Sequence, residues 1–267
     1  MPGYSTTLAG LLARTVVTAS LALCAVASRS AEPEMQPSVT PYRPSVSTPA
    51  ALSAPGWLEF ELGGLRIGGP GTARRDSLPY TLKLAFSEDW GIRIGGEAWV
   101  RQQDEAGTSV SGGGDTGVVL KRRFAVDDAS AFGLEVGAIF PTAKSGLGTG
   151  NSNYLLNGIY SADLDRYHTD VNLVLTRAGQ ADAGVSRNQL LWAASLSRTI
   201  TDRWSVVGEL FGTRQQGTDS TAQLLAGASY SVSPSLSLDA GVAGSLRSAG
   251  PDWSVFGGLT VLLGRLF

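Results

Sequence analysis

From residue 57 to the C-terminus, apolar residues recur at every second position in segments of about ten residues. The segment 235–247 is the clearest case: its even positions hold only Leu, Ala, Val and Gly, whereas its odd positions include Asp239 and Arg247. Successive side chains of a β-strand point to opposite faces, so each segment has one apolar and one polar face. A strand that separates lipid from a polar lumen requires that division.

The same periodicity predicts twelve strands, an even number, at residues 57–67, 77–86, 90–101, 115–124, 131–142, 152–162, 166–177, 188–200, 203–214, 220–232, 235–247 and 253–267. Short connections near residues 88, 128, 164, 202 and 234 alternate with longer or glycine-rich ones. Short periplasmic turns and longer external loops alternate in this way. We therefore predict an all-β fold over residues 57–267, a closed antiparallel up-and-down transmembrane β-barrel of about 12 strands.

A soluble all-β sandwich or lipocalin-like barrel also alternates, and it is the alternative to a membrane barrel. Its outer face would be polar and its inner face apolar. Here the polar phase is charged and glycine-rich, and aromatic residues cluster at strand ends beside the short turns. After residue 28 no uncharged apolar run is long enough for a spanning helix. A membrane location therefore requires a closed barrel.

The N-terminal residues 1–27 have the form of a secretory signal peptide. Arg14 precedes an apolar stretch, and Ala25 and Ala27 occupy the −3 and −1 positions of a cut before Ser28. The apolar stretch is too short to be a transmembrane anchor, which needs about 20 residues. A lipoprotein signal at Cys24 is a weaker alternative. Removal of the leader would take away the only cysteine of the chain.

Residues 28–56 hold six of the twelve prolines and little that could pack. We interpret this stretch as an extended, mobile, disordered segment in the periplasm. The chain then has three parts: the signal peptide, this proline-rich segment and the barrel.

Charged residues collect on the polar phase of the predicted strands, with acidic and basic members in balance. The candidates for lining the lumen and setting selectivity are Lys83, Arg93, Glu97, Arg101, Lys121, Arg123, Glu135, His168, Asp170, Glu209 and Asp239. Balanced charge favours a cross-barrel network of salt bridges over strong ion selectivity. A sharper hypothesis is a constriction that positions a solute, lined by Arg93, Arg101, Lys121 and Arg123.

The sequence offers little for catalysis. His168, the only histidine, shares its phase with Asp170, but no serine stands in a nucleophile motif. A structural or gating hydrogen bond is the expected role of His168. We find no metal-ligand cluster or dinucleotide fingerprint, and a net charge of −2 is not typical of nucleic-acid binding. We therefore expect no enzyme activity, no cofactor and no nucleic-acid partner.

The last predicted strand alternates up to a C-terminal aromatic residue, Phe267. Outer-membrane barrels usually finish in this way, and the barrel-assembly machinery is the expected partner of such an end. The other expected partners are outer-membrane lipid and a small-molecule solute.

The segment AFGLEVGAIFPTAKSGLGTGNSNYLLNGIYSADL at 131–164, followed by Tyr167, His168 and Asn172, resembles the core of the phenol-degradation meta-pathway family of outer-membrane transporters. The matching loop positions are Pro141, Thr142, Gly148, Gly150 and Asn151, with Ala143 where members usually have Gly. The resemblance covers about residues 110–230. It implies a barrel associated with uptake of aromatic or other small hydrophobic compounds.

Three functions follow as hypotheses. The first is a passive outer-membrane channel for small compounds. The second is a non-conducting structural or adhesive barrel with a plugged lumen, and the third is a membrane-embedded hydrolase. Twelve strands leave room for either an open or a filled lumen.

The signal-peptide prediction is tested on the mature protein. We expect its N-terminal residue to be Ser28, because signal peptidase reads small residues such as Ala25 and Ala27 at the −3 and −1 positions. Mass spectrometry of protein from the membrane fraction measures this directly. Ala27→Tyr should block the cut, whereas Val26→Tyr, at the unread −2 position, is the matched control. Mature protein that retains Met1 would contradict export.

Overall fold

A computed structural model describes residues 37–69, 74–104, 106–247 and 249–267. The predicted signal peptide, its cleavage site and residues 28–36 lie outside this part of the chain. Among the described residues, no helix is long and apolar enough to span a bilayer.

The described residues form thirteen strands in one antiparallel sheet. They are β1 (Trp57–Gly68), β2 (Arg74–Ala85), β3 (Trp90–Gln103), β4 (Ser109–Gly112), β5 (Thr116–Ala125), β6 (Ser130–Phe140), β7 (Asn153–Leu164), β8 (Tyr167–Arg177), β9 (Asn188–Thr199), β10 (Trp204–Gln215), β11 (Gln223–Ser233), β12 (Leu236–Ser245) and β13 (Trp253–Arg265). Short β4 pairs only with the outer end of β3. The other twelve strands form the wall, which closes where β1 pairs with β13. The predicted closed barrel of twelve strands is confirmed.

The two faces of the wall divide as the alternation predicts. On the outside, mid-strand apolar side chains are exposed, such as Leu173 at 56% and Val242 at 55%. On the inside, Glu59, Glu135 and Glu209 are at most 1% exposed. An apolar exterior around a polar interior suits a transmembrane barrel and is the reverse of a soluble one. The soluble alternative is therefore wrong.

Aromatic side chains surround the barrel at the end that carries the short turns. Phe132 packs against Tyr160, and Trp204 against Tyr230, with ring centroids 5.1 and 4.9 Å apart. Amphipathic aromatic rings collect at bilayer interfaces. Short turns are typical of the periplasmic end of such a barrel and longer loops of the opposite end, so we name the two ends the periplasmic end and the outer end.

One break in the alternation changes which face a candidate residue occupies. The pairing of β2 with β3 shifts between Leu78 and Pro79. Leu78 pairs with Trp99 and Pro79 pairs with Glu97, so β3 has one extra residue between these two pairs. Proline has no N–H for the ladder, and a bulge accommodates it. The extra residue inverts the alternation beyond it, so Arg101 lies opposite Asp76 on the outer face. The prediction that Arg101 lines the lumen is wrong.

Residues 37–56, the described part of the proline-rich segment, also differ from the prediction. This segment does not stay outside the barrel as a mobile periplasmic stretch. Its backbone is hydrogen-bonded to inward-facing side chains of several wall strands, Glu61 and Glu209 among them. Polar side chains on the inner wall thus satisfy backbone groups that water would solvate if the segment lay in the periplasm.

Two neighbouring positions in β8 test the assignment of the faces. Leu173 points outward at mid-strand, and Val174 points into the lumen. Leu173→Arg should destabilise the barrel by ~2–4 kcal/mol, the cost of Arg at the bilayer midplane. Val174→Arg should cost clearly less, because its side chain enters a polar lumen. Unfolding in phospholipid vesicles measures both variants, and the opposite order of stabilities would invert the faces.

Candidate functional site

The inner wall contains every predicted selectivity residue except Arg101, on strands spread around the barrel. Several form ion pairs along the wall, between neighbouring or next-neighbouring strands, rather than across the barrel. Lys83 lies 2.6 Å from Glu61, and Arg93 lies 3.1 Å from Glu135. The proposed constriction of four cations does not form, because Arg101 is outside and the Lys121 amine is buried. Whether the inward-facing residues select solutes stays a prediction.

Residues 37–56, hereafter the luminal segment, follow the inner wall through nearly a full circuit. The segment starts beside the turn between β11 and β12, where Val39 N donates to Pro234 O at 2.8 Å. It ends beside β2, where Gly56 N donates to Ala85 O at 2.9 Å. Between these points its backbone binds side chains of β1, β10, β8 and β7 in that order.

Two carboxylates of β1 hold the first part of the luminal segment. Thr40 N donates to Glu59 Oε2 at 3.0 Å, and Tyr42 N donates to Glu61 Oε1 at 2.7 Å. Lys83 Nζ bridges both carboxylates and also donates to the Thr40 carbonyl. The two buried acids are therefore matched both by a cation and by backbone N–H groups.

Arg43 extends this contact to β12. Its guanidinium forms a bidentate pair with Asp239, at 3.0 and 3.1 Å. The guanidinium lies directly over Gly63 and Gly258, where any side chain would overlap it. Glycine at these two inward positions makes room for the luminal segment.

Farther along, β10 and β8 hold the segment by its backbone. Both oxygens of Glu209 accept N–H groups, from Val46 at 2.7 Å and from Ser47 at 2.6 Å. Asn172 binds both sides of Thr48: its oxygen accepts from the N–H at 2.5 Å, and its amide donates to the carbonyl at 3.1 Å. These side chains provide the pairing that a neighbouring strand would otherwise give.

The last part of the circuit meets β7 and β5. Ala50 N donates to the Ser161 hydroxyl at 2.7 Å, and Lys121 Nζ donates to the Pro49 carbonyl. Lys121 is only 2% exposed and lies 3.6 Å from Glu135. A lysine predicted to face a solute thus holds the luminal segment instead.

Tyr42 crosses from the first part of the circuit to the last. Its hydroxyl donates to the Ala51 carbonyl at 3.1 Å, and the Lys83 and Lys121 amines lie 3.9 and 4.3 Å from the ring centroid. Burial and the nearby Glu135 carboxylate raise the pKa of the Tyr42 phenol well above its usual value. A cavity of about 10 Å³ remains beside the ring, space for roughly one water.

On β10–β13, one side of the inner wall is apolar. Val207, Leu225 and Ala243 form a buried cluster, with Phe211 and Phe256 packed against it. Leu225 lies opposite Glu209, and Phe211 lies two residues closer to the long loops. The inner wall on β10–β13 is thus apolar, and its partly buried members there are Phe211 and Phe256.

His168 belongs to an acidic network at the periplasmic mouth. Its Nδ1 lies 2.7 Å from Asp163 and its Nε2 lies 3.2 Å from Asp170. The Ser161 hydroxyl donates to Asp170 at 2.5 Å and is not directed at the imidazole. A nucleophile and base are therefore not paired here, and the geometry fits a structural hydrogen bond.

The alternation and the motifs of the sequence do not assign the luminal segment, Tyr42, Ser161 or Asn172 to the site. A signal was present in the prolines, since Pro41, Pro44 and Pro49 carry no N–H. A segment with so many prolines cannot join a β-ladder. It has few backbone N–H groups, however, and the side chains of a polar wall can accept hydrogen bonds from those that remain. The inward glycines opposite it were a second signal.

Several solved outer-membrane proteins share this fold. An outer-membrane channel from Pseudomonas putida F1 is 13% identical with a TM-score of 0.61, and covers 80% of this chain and 98% of its own. The NanC porin is 10% identical with a TM-score of 0.57, and the match covers 76% of this chain and 98% of the porin. The CymD monoaromatic hydrocarbon channel is 9% identical with a TM-score of 0.51, and the match covers 80% of this chain and 90% of the channel. Identities this low show the fold alone.

No protein-family model matches the sequence, and no curated protein matches it. The fold and its interior define a transmembrane β-barrel with a luminal segment bound inside.

The variant Glu209→Ala tests the hydrogen bonds between the wall and the luminal segment. The N–H groups of Val46 and Ser47 lose a charged acceptor worth ~1.5–3 kcal/mol per bond. Their hydrogen exchange should accelerate by at least about tenfold. Glu97→Ala is the matched control, since Glu97 pairs with Arg75 of the wall. Equal exchange in both variants would contradict the assigned contact.

Proposed function

We propose that this chain is a passive channel of the Gram-negative outer membrane for small compounds, with the luminal segment as its gate. The observation that carries the proposal is the way the segment is bound. It lies inside a complete barrel and is held by side chains of the wall, so its departure would open the lumen and leave the wall strands paired.

The strength of the binding fits a gate that opens infrequently. A typical intramolecular hydrogen bond contributes about 0.5–1.5 kcal/mol, and one to a charged group about 1.5–3 kcal/mol. The segment has several of each. A small population of open barrels is then expected at rest, and a solute that favours the open barrel would increase it.

The solute class follows from the apolar cluster on β10–β13. Phe211 and Phe256 pack on this inner wall, where a small aromatic or other hydrophobic compound would contact them. The similarity of residues 131–164 to phenol-degradation transporters supports the same class, as does the shared fold with the CymD monoaromatic hydrocarbon channel. The charged residues of the opposite wall would orient a polar substituent.

Export and assembly complete the proposal. The leader directs the chain across the inner membrane, and the C-terminal Phe267 is the end that the barrel-assembly machinery would recognise. Phe267 is 61% exposed at the periplasmic end, where such contact is sterically free. This part of the function is inferred from the sequence.

The second candidate is a non-conducting structural barrel, which the extent of the luminal contacts favours. In that case the luminal segment is a permanent filling. It would stabilise the wall and never leave during the life of the protein.

Planar-bilayer conductance separates the two. A disulfide can lock the segment, because a Cβ at Gly227 would lie 3.3 Å from Cβ of Pro44. For a channel, we expect discrete openings in the wild type, none in oxidised Pro44→Cys/Gly227→Cys, and openings again after reduction. Pro44→Cys alone is the control.

A variant lacking residues 37–54 should conduct steadily. If it conducts but the wild type stays closed at all voltages and with aromatic solutes, the segment is a permanent filling and the second candidate is correct. If the deletion variant folds and is also silent, the lumen is not a pore.

A further inference from the structure

The outer face of the wall carries a charged cluster at the long-loop ends of β1, β2 and β3. Arg66 Nε lies 2.5 Å from Asp76 Oδ1, and a guanidinium nitrogen of Arg74 lies 3.2 Å from Asp76 Oδ2. Arg101 lies opposite Asp76 in the next strand, on the same face. One carboxylate therefore faces three guanidinium groups. The cluster keeps an excess of positive charge on a surface that otherwise faces lipid.

A groove lies beside this cluster, toward the middle of the bilayer. Gly64 and Gly257 form its floor, and Leu78, Trp99 and Val255 line its sides, around a volume of about 370 Å³. A side chain at Gly64 would meet no atom within 4 Å. Arg66 is two residues farther along β1, roughly 7 Å toward the outer end. An apolar groove thus leads directly to a cationic end.

Cationic side chains in this place need an explanation. Charges on the lipid face of a barrel are costly at the midplane and tolerated only near the interface. Arg101 reaches this face only because of the bulge at Pro79. Guanidinium groups bind phosphate oxygens with two parallel hydrogen bonds, and Trp99 is a residue type that sits at headgroup level.

We propose that this surface binds a phosphorylated glycolipid of the outer leaflet, of the lipid A type. Its phosphate lies on Arg66, Arg74 and Arg101, and one of its acyl chains fills the groove over Gly64 and Gly257. The inference rests on the outer-membrane location proposed above, and it concerns the outside of the wall rather than the lumen. The long loops put the cluster in the outer leaflet, where the anionic lipid is this glycolipid.

Native mass spectrometry of the full mature protein in detergent tests the site, with bisphosphorylated lipid A as the probe. Arg66→Gln/Arg101→Gln should weaken its binding at least tenfold. Arg177→Gln/Arg214→Gln is the matched control, since these arginines also face outward at the long-loop end, on β8 and β10. Dephosphorylated lipid A and phosphatidylglycerol should both bind at least tenfold more weakly to the wild type.

A second variant tests the groove separately. It keeps the proposal testable if the arginine variant folds poorly. Gly64→Leu should fill the groove and weaken lipid A binding severalfold, whereas Gly208→Leu, another outward glycine with open space around it, should not. Heat-modifiable migration on gels checks that each variant folds.

Equal binding to the test and control variants, or equal binding of phosphatidylglycerol, would overturn the proposal. The result is independent of conduction. A channel that conducts but does not discriminate these lipids refutes this inference alone, and a lipid-binding barrel that never conducts refutes the proposed function alone.

Discussion

Carboxylates that face the inside of a narrow barrel must be matched by cations or by N–H donors, because an unpaired charge there loses hydration that nothing replaces. In this protein the wall cannot match all of its own carboxylates by pairing with itself. Glu209 takes two backbone N–H groups from the luminal segment, and Asp239 takes the Arg43 guanidinium. The wall and the luminal segment are therefore mutually dependent, and the interior is a single hydrogen-bonded unit.

That dependence explains why the wall strands follow from the sequence whereas the interior does not. Alternation is a local property, so the twelve wall strands end within a few residues of their predicted bounds, β8 and β9 among them. The contact between Val46 and Glu209 spans 163 residues. No period within either segment encodes such a contact, and the proline-rich composition is the same one that favours disorder in solution. A local pattern therefore predicts the wall strands but not the segment that fills the barrel.

Arg101 shows a second limit of the alternation. A strict period of two puts Arg93, Glu97 and Arg101 on one face, and the first two do face the lumen. Pro79, in the neighbouring strand, interrupts the ladder and inverts the phase between Glu97 and Arg101. The cause of the error is thus in β2 and its effect in β3, so it could be found only by considering the paired strands together. The same bulge adds Arg101 to the cationic cluster on the outer face.

The closure of the barrel and the position of the luminal segment are coupled at one seam. The segment ends at Gly56, whose carbonyl accepts from Leu266 N at 2.7 Å, next to the pairing of Trp57 with Arg265. The first wall strand thus begins where the luminal segment ends, and the last strand pairs with both. Gly56 has a positive φ of 77°, and a Cβ at this position would overlap the terminal carbonyl of Phe267, so movement of the segment out of the lumen could pivot at this residue. Glycine has low resistance to backbone rotation, so a pivot at this position allows the segment to leave without opening the pairing of β1 with β13.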